Sequence, residues 1–204
     1  MNISFRTFRP RATSLAGLLL TVSLLASTAR AQTAFTQGDL VVSAYGVGGG
    51  YIDGVPTPIS LMEFTTNGTL VMTNTLPTAN NGANIGIVGE YGSSSEANLQ
   101  LTADGHSLLI AGYQADASYA NVGGPVQGGY SDANGTALAQ STAANVPRVF
   151  AVIGANGVAN ITTQANDIYN ENNPRSVWSA NGSQLYVSGQ GNATNDQGIF
   201  TIRA

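Results

Sequence analysis

The sequence predicts an all-β fold built from short antiparallel strands. Residues 99–113 (LQLTADGHSLLIAGY) and residues 176–190 (SVWSANGSQLYVSGQ) align without a gap, with Asp104 placed on Asn181. Each stretch alternates apolar and polar residues around an Asp-Gly or Asn-Gly pair. These dipeptides favour tight hairpin turns because the turn requires positive φ angles at its central residues. Each stretch is therefore predicted to be a β-hairpin.

A second kind of hairpin is interleaved with the first. Residues 59–76 (ISLMEFTTNGTLVMTNTL) and residues 148–164 (RVFAVIGANGVANITTQ) alternate around an Asn-Gly pair, and Leu61 aligns with Phe150. The repeating unit is thus two hairpins joined by a loop. Four antiparallel strands per repeat, with recurring Gly and aromatic positions, are typical of a β-propeller blade.

The strand assignment predicts an incomplete ring of about two and a half blades. Calling the strands A to D from the centre outward, residues 39–76 supply strands B to D of a first blade, and residues 99–164 supply a whole blade. Residues 176–190 supply strands A and B of a third. Residues 198–204 (GIFTIRA) align with residues 148–154 as its strand C. We expect the last hairpin to lack its partner strand, the chain to be the N-terminal part of a longer propeller, and the open blade edges to favour self-association.

Two segments carry a resemblance to a known family. LTADGHSLLIAG (residues 101–112) and WSANGSQLYVSGQGN (residues 178–192) resemble the repeats of exported bacterial β-propellers of the TolB-like and YVTN-like kinds. Those units read roughly S-x-D-G-x-x-L-Y-V, followed by a small-residue loop and a G-I-x-x-I strand. The resemblance covers most of residues 39–204, with Asn181 replacing the Asp in one repeat. It implies the propeller architecture and no catalytic residue, because such rings carry binding proteins, surface proteins and several enzymes.

Residues 1–31 have the layout of a secretory signal peptide. Arginines precede an apolar stretch at residues 15–26, and small residues follow up to Ala31. The apolar stretch is shorter than the roughly 20 residues that span a bilayer. We therefore expect cleavage after Ala31 and export of residues 32–204, a partial propeller domain, to the periplasm or the cell exterior. Residues before about Thr36 are expected to pack on nothing.

Charge and composition limit the partners. Removal of the leader takes four of the seven basic residues and none of the eleven acidic residues, which leaves a net charge of −8. Nucleic acid and anionic membranes are bound by clustered Lys or Arg, so neither is an expected partner of the mature chain. The chain has no cysteine, which excludes disulfides and an N-terminal lipid anchor.

Acidic residues gather on the loops that the propeller geometry places on one rim, which carry eight of the eleven: Asp53, Glu90, Glu96, Asp116, Asp132, Asp167, Glu171 and Asp196. The candidates for binding a ligand or cation on this rim are Asp116, Asp132, Asp167, Glu171 and Asp196. Residues 131–136 and 167–173 interleave carboxylates with Asn amides, the oxygen donors that calcium prefers. Neither segment has EF-hand spacing, and ordinary turn chemistry of Asp and Asn explains the same composition. The prediction is therefore no cofactor, with calcium as the alternative.

Other possible reaction centres have ordinary structural explanations. His106, the single histidine, directly follows a tight turn and is expected to be exposed. Residues 92–97 are rich in serine but lack the G-x-S-x-G nucleophile elbow. Trp178 aligns with Leu101, so both are expected in equivalent cores between blades, which argues against a sugar-stacking role for the Trp. Glu63 is expected on the solvated face of its strand.

Three functions remain open from the sequence. The favoured hypothesis is an exported, non-enzymatic β-propeller-like protein that binds a ligand or a surface partner through its long-loop rim. The alternative is a secreted hydrolase or lyase that uses loop carboxylates, with or without calcium. The third is a structural repeat protein of the cell surface. Two rim carboxylates about 5 to 10 Å apart would favour the enzyme, because glycosidases use such pairs.

Overall fold

The computed structural model describes residues 33–46, 53–93, 95–114 and 137–204. All of them lie in the compact unit Gln32–Ala204, whereas the predicted signal peptide lies outside the described residues. This part of the chain is all-β, with one short 3-10 helix at Leu138–Gln140. Its strands are β1 (Leu40–Tyr45), β2 (Pro56–Phe64), β3 (Leu70–Thr75), β4 (Val88–Glu90), β5 (Gln100–Leu101), β6 (Ser107–Tyr113), β7 (Arg148–Gly154), β8 (Ala159–Ala165), β9 (Pro174–Trp178), β10 (Gln184–Gly189) and β11 (Gly198–Arg203).

The four predicted hairpins are confirmed. Antiparallel pairing joins β2 to β3, β5 to β6, β7 to β8 and β9 to β10 across the predicted turns. The glycine of each turn has a positive φ, between 75° at Gly105 and 86° at Gly68. The strands joined by the loops between hairpins also pair antiparallel: β1 with β2, β6 with β7 and β10 with β11. GIFTIRA thus forms the strand that the alignment predicted for it.

These pairings give three sets of strands, which we call the first section (β1–β3), the second section (β5–β8) and the third sheet (β9–β11). The second section has the full antiparallel order β5-β6-β7-β8. Strand β4 was not predicted. It pairs with the start of β2 and with Tyr113 of β6, which joins the first and second sections into one eight-stranded sheet. The described strands do not close a ring.

Apolar cores lie between neighbouring sets. The core between the first and second sections includes Leu61 of β2 and Ile110 of β6, both fully buried. The core between the second section and the third sheet includes Phe150 of β7 and Leu185 of β10. Burial of such side chains is the main stabilising contribution, about 1.5–3 kcal/mol each. The predicted equivalence of Leu61 and Phe150 is consistent with this packing, because each faces the next set of strands along the chain.

The prediction that Trp178 and Leu101 fill equivalent cores is wrong. Trp178 is 48% exposed and Leu101 is 57% exposed. Leu101 pairs with Leu108 in its hairpin, but Trp178 pairs with Tyr186, one residue beyond the position that the gapless alignment implies. A slip of one residue turns a strand side chain to the opposite face. Leu101 faces the first section, where the described part of the chain has no strand beyond β1 to cover it.

Two expectations about the tight-turn end of the molecule are also wrong. Glu63 is fully buried, because strand side chains alternate and it shares a face with buried Leu61. Its Oε1 accepts a hydrogen bond from the Thr36 backbone N–H at 2.6 Å. The Phe35 N–H donates to the Ala155 carbonyl at 2.9 Å, and its side chain packs against the first core. The segment before Thr36 is therefore docked between the two sections.

Candidate functional site

The described parts of the long loops, which a propeller would place on one rim, contact one another. Backbone hydrogen bonds join these loops in series. From N–H to carbonyl oxygen, they are Gly54 to Tyr91 (3.0 Å), Leu138 to Gly54 (2.7 Å), Glu171 to Ser141 (3.2 Å), Tyr169 to Asp196 (2.6 Å) and Asn192 to Asn170 (3.0 Å). Loops that are far apart in sequence therefore form one connected surface.

Arg148, the first residue of β7, fastens two of these loops to the core. Its side chain is fully buried, and its guanidinium carbon lies 5.0 Å from the centre of the Tyr113 ring. The guanidinium donates to Ser141 Oγ and to backbone oxygens of Ala139, Ser141, Val146, Tyr169 and Asn172. The distance is 2.6 Å to Val146 and 2.8 Å to Ser141. One cation thus satisfies carbonyl groups that burial would otherwise leave without partners.

Glu96 is the second centre of this buried network. Its Oε1 accepts the Glu90 N–H at 2.8 Å and the Tyr45 hydroxyl at 3.3 Å. Its Oε2 accepts the Ser93 hydroxyl at 2.7 Å and the Asn173 amide at 3.1 Å. The carboxylate therefore connects β1, the loop after β4 and the loop before β9. We call the set Tyr45, Glu90, Glu96, Tyr113, Arg148 and Asn173 the rim cluster.

The Glu90 carboxyl of the rim cluster has a raised pKa. Burial is the main cause that raises the pKa of Glu90 to about 7; the nearby charge of Glu96 acts in the same direction, and the Ala139 N–H and Arg148 act against it. The Glu90 carboxylate accepts a hydrogen bond from the Ala139 N–H. Burial also lowers the pKa of Arg148 to about 10, so the guanidinium stays charged at neutral pH. Burial raises the pKa of Tyr113 well above its ordinary value.

Three of the five predicted site residues lie in the described part of the chain, on two adjoining loops. Asp167 and Glu171 are exposed on the loop between β8 and β9. Asp196 lies on the loop between β10 and β11, but it is 6% exposed and its Oδ1 accepts the Ala193 N–H at 2.9 Å. Its carboxylate closes a local turn. The other two predicted residues, Asp116 and Asp132, lie outside the described residues.

The exposed layer of the rim is formed by amide and carboxylate groups of these two loops. Asn192 donates to Glu171 Oε2 at 2.7 Å, and Asn170 donates to Asn192 Oδ1 at 3.4 Å. Tyr169 and Glu171 have φ angles of 54° and 52°, in the left-handed region that L-residues rarely adopt. Among the described residues, no group of three or more His, Cys, Asp or Glu side chains could hold a metal ion.

The sequence predicts Glu90 and Glu96 on the rim, but not that they form a buried pair. Nor does it predict the role of Arg148. The signal for Arg148 was its position: it is one of three arginines after residue 31 and opens an otherwise apolar strand, RVFAVIG. Arg, Asp and Glu are rarely fully buried unless paired.

Comparison of the chain with protein-family models, curated proteins and solved structures finds no match. Within the described residues, no helix has the length and apolar character needed to cross a membrane.

Proposed function

We propose that this chain is an exported, non-enzymatic β-propeller-like protein that binds a ligand or a surface partner through its long-loop rim. The three sets of strands would be blades, with the second section as a complete one. The order β5-β6-β7-β8 and the apolar cores on both sides of the second section support this architecture. The TolB-like and YVTN-like resemblance of two hairpins points the same way.

The observation that carries the binding proposal is the fixation of the rim loops by Arg148. Its bonds to the loops at residues 138–146 and 169–172 are made deep under the rim. Loops held by a rigid scaffold are where binding residues are commonly found, because little ordering entropy is lost on binding. Above this base, Asn170, Glu171 and Asn192 present donors and acceptors suited to a polar ligand.

The test uses binding to isolated bacterial cell-envelope fragments and to an array of purified oligosaccharides. The double variant Glu171→Gln/Asn192→Ala alters the rim surface, and His106→Ala alters an exposed residue of the tight-turn side as the matched control. We expect saturable binding of the wild type and of His106→Ala, with affinity at least tenfold weaker for the rim variant. Binding that is lost only in His106→Ala, or no saturable binding to either probe, would contradict the proposal.

One observation favours the hydrolase or lyase alternative. A general acid at neutral pH needs a raised pKa, and the Glu90 carboxyl has one beside a second carboxylate, Glu96. Both groups are buried, at 9% and 2% exposure, and their oxygens hold backbone and side-chain donors. Incubation of the same oligosaccharides with wild type and Glu90→Gln, with and without calcium, separates the two functions. Cleavage products that disappear in Glu90→Gln would establish the enzyme.

A further inference from the structure

The two outermost faces of the strand sets are apolar and exposed. On the first section, Leu40 and Val42 are 57% and 46% exposed and lie opposite Phe64 and Met62 of β2. This surface, with Leu70 of β3, is called the leading face. On the third sheet, Trp178, Tyr186 and Ile199 are 48%, 42% and 76% exposed. They lie on the face opposite to buried Leu185 and Val187, and this surface is called the trailing face.

The leading face has a buried counterpart within the same molecule. Leu108 and Ile110 of β6 pair with Ile153 and Ala151 of β7, just as Leu40 and Val42 pair with Phe64 and Met62. Those four residues of the second section pack in the core against the first section. The leading face thus corresponds to a surface that another strand set covers.

The trailing face has a buried counterpart as well. Leu109 and Ala111 of β6 pack in the core against the third sheet. At the offset of 77 residues that aligns β6 with β10, they correspond to Tyr186 and Ser188. Tyr186 pairs with Trp178 on one side and with Thr201 on the other, and its ring centre lies 5.5 Å from that of Trp178.

Among the residues that the structure describes, charged side chains are nearly absent from both faces. The unit after residue 31 carries eleven acidic residues and three arginines. Counting described residues, the strands contribute no charged side chain to the leading face, and they contribute Arg203 to the trailing face, at its edge opposite Gln184. Exposed apolar surface without charge is the pattern of an interaction site, since charged groups are depleted from interface centres.

We infer that the trailing face of one copy packs against the leading face of a second copy, in the way that consecutive strand sets pack within the chain. This inference rests on the proposed propeller-like architecture. A second copy is the occupant because the unit of residues 32–204 carries both surfaces, so each copy offers the trailing face that the leading face of the other copy requires. A three-stranded face about 20 Å long and 14 Å wide covers roughly 280 Å² in projection. Two such contacts in a closed pair cover roughly 560 Å² of each copy, which is closer than one contact comes to the roughly 800 Å² that each partner of a stable complex buries. The closed pair is therefore favoured over a single contact.

A closed pair would contain six strand sets. Propellers have about four to eight blades, so six lies within the range that can close. Each copy would contribute one leading and one trailing face, and the two contacts would be related by a twofold axis. The rims of both copies would then lie on the same side of the assembly.

The test measures the mass of residues 32–204, the unit that holds the cores on both sides of the second section, by sedimentation over a concentration series. Val42→Lys places a charge on the leading face and Tyr186→Lys on the trailing face. Val158→Lys is the matched control, because Val158 is 51% exposed on a turn that belongs to neither face. We expect a dimer for the wild type and for Val158→Lys, and a dissociation constant at least 100-fold higher for each face variant, because burying an unpaired lysine is costly.

Mixing the two face variants separates this arrangement from other modes of association. Each mixed pair retains one contact without a lysine, so a heterodimer weaker than the wild type is expected where neither variant pairs alone. Circular dichroism and thermal melting check that each variant is folded. A wild type that stays monomeric at all concentrations would overturn the inference, whatever the rim binds. A Val42→Lys variant that pairs as well as wild type, or a mixture that stays monomeric, would overturn it too.

Discussion

Replacing Glu90 by Gln tests the electrostatics of the rim cluster. The Glu90 carboxyl is buried and its pKa is raised from an ordinary 4.5 to about 7. Between these two values the folded protein holds a proton that the unfolded chain has lost. The free energy of unfolding therefore falls as the pH rises from about 4.5 to about 7 and levels off above that range. A separation of about 2.5 pH units corresponds to about 3 kcal/mol.

Gln mimics the protonated carboxyl and keeps an oxygen that can accept the Ala139 N–H. We therefore expect the free energy of unfolding of Glu90→Gln to rise by about 3 kcal/mol relative to that of the wild type as the pH goes from 4.5 to 8. The free energy of unfolding is measured by urea denaturation at steps of half a pH unit. Asp167→Asn serves as the charge control, because it removes one exposed carboxylate outside the rim cluster. Parallel pH profiles for wild type and Glu90→Gln would refute a buried, proton-holding Glu90.

Three further predictions concern stability, each measured by denaturant unfolding at pH 7. Arg148→Met should lower the free energy of unfolding by about 3–5 kcal/mol, because buried carbonyls lose their donor; a loss under 1 kcal/mol would show that the loops hold without it. Gly157→Ala should lower the free energy of unfolding more than Gly105→Ala does. Both glycines have a φ near 76°, but a Cβ at Gly157 would lie 2.2 Å from the Thr33 oxygen, whereas a Cβ at Gly105 meets nothing within 4 Å. Equal losses of stability would contradict the docking of the segment before Thr36. At concentrations where the chain is monomeric, Trp178→Ala should cost under about 1.5 kcal/mol, in contrast to the 2–5 kcal/mol typical of a fully buried side chain.

The sequence predicted the strands and turns because their signals are local. An Asn-Gly or Asp-Gly pair between alternating segments specifies a hairpin through backbone geometry alone, and all four such hairpins form. The face of the sheet on which a side chain lies is harder to predict from the sequence than the strand itself, because it depends on the pairing register. Trp178 shows this: a one-residue slip against β10 moved it from the expected core to the exposed face. Period-two alternation from Leu61 would have placed Glu63 correctly in the interior.

The contacts of Arg148 could not be predicted from the sequence in the same way. Most of its acceptors are backbone carbonyls, which every residue has, so the acceptor positions leave no residue-specific pattern. The loop at residues 138–146 adopts its course through tertiary contacts with Arg148 and with Glu90, which lies far away in the chain. The rim acids are predicted as a surface feature, but three of them are buried: Glu90 lies on β4 and Glu96 follows it beneath the loops, and the Asp196 carboxylate closes a local turn.

The rim cluster and the leading and trailing faces use different side chains of the same strands. The rim cluster joins β1, the β4 segment, β7 and the loop before β9, so a distortion of the first section would reach the loops through Tyr45 and Glu96. The leading and trailing faces lie on the flanks of the strand sets, where side chains do not enter the rim cluster. Variants of Val42 and Tyr186 can therefore change association without touching the bonds that hold Glu171 and Asn192 in place. Binding by the rim and pairing through the faces are separable by mutation, and loss of rim binding in an unpaired but folded variant would mean that the ligand contacts both copies.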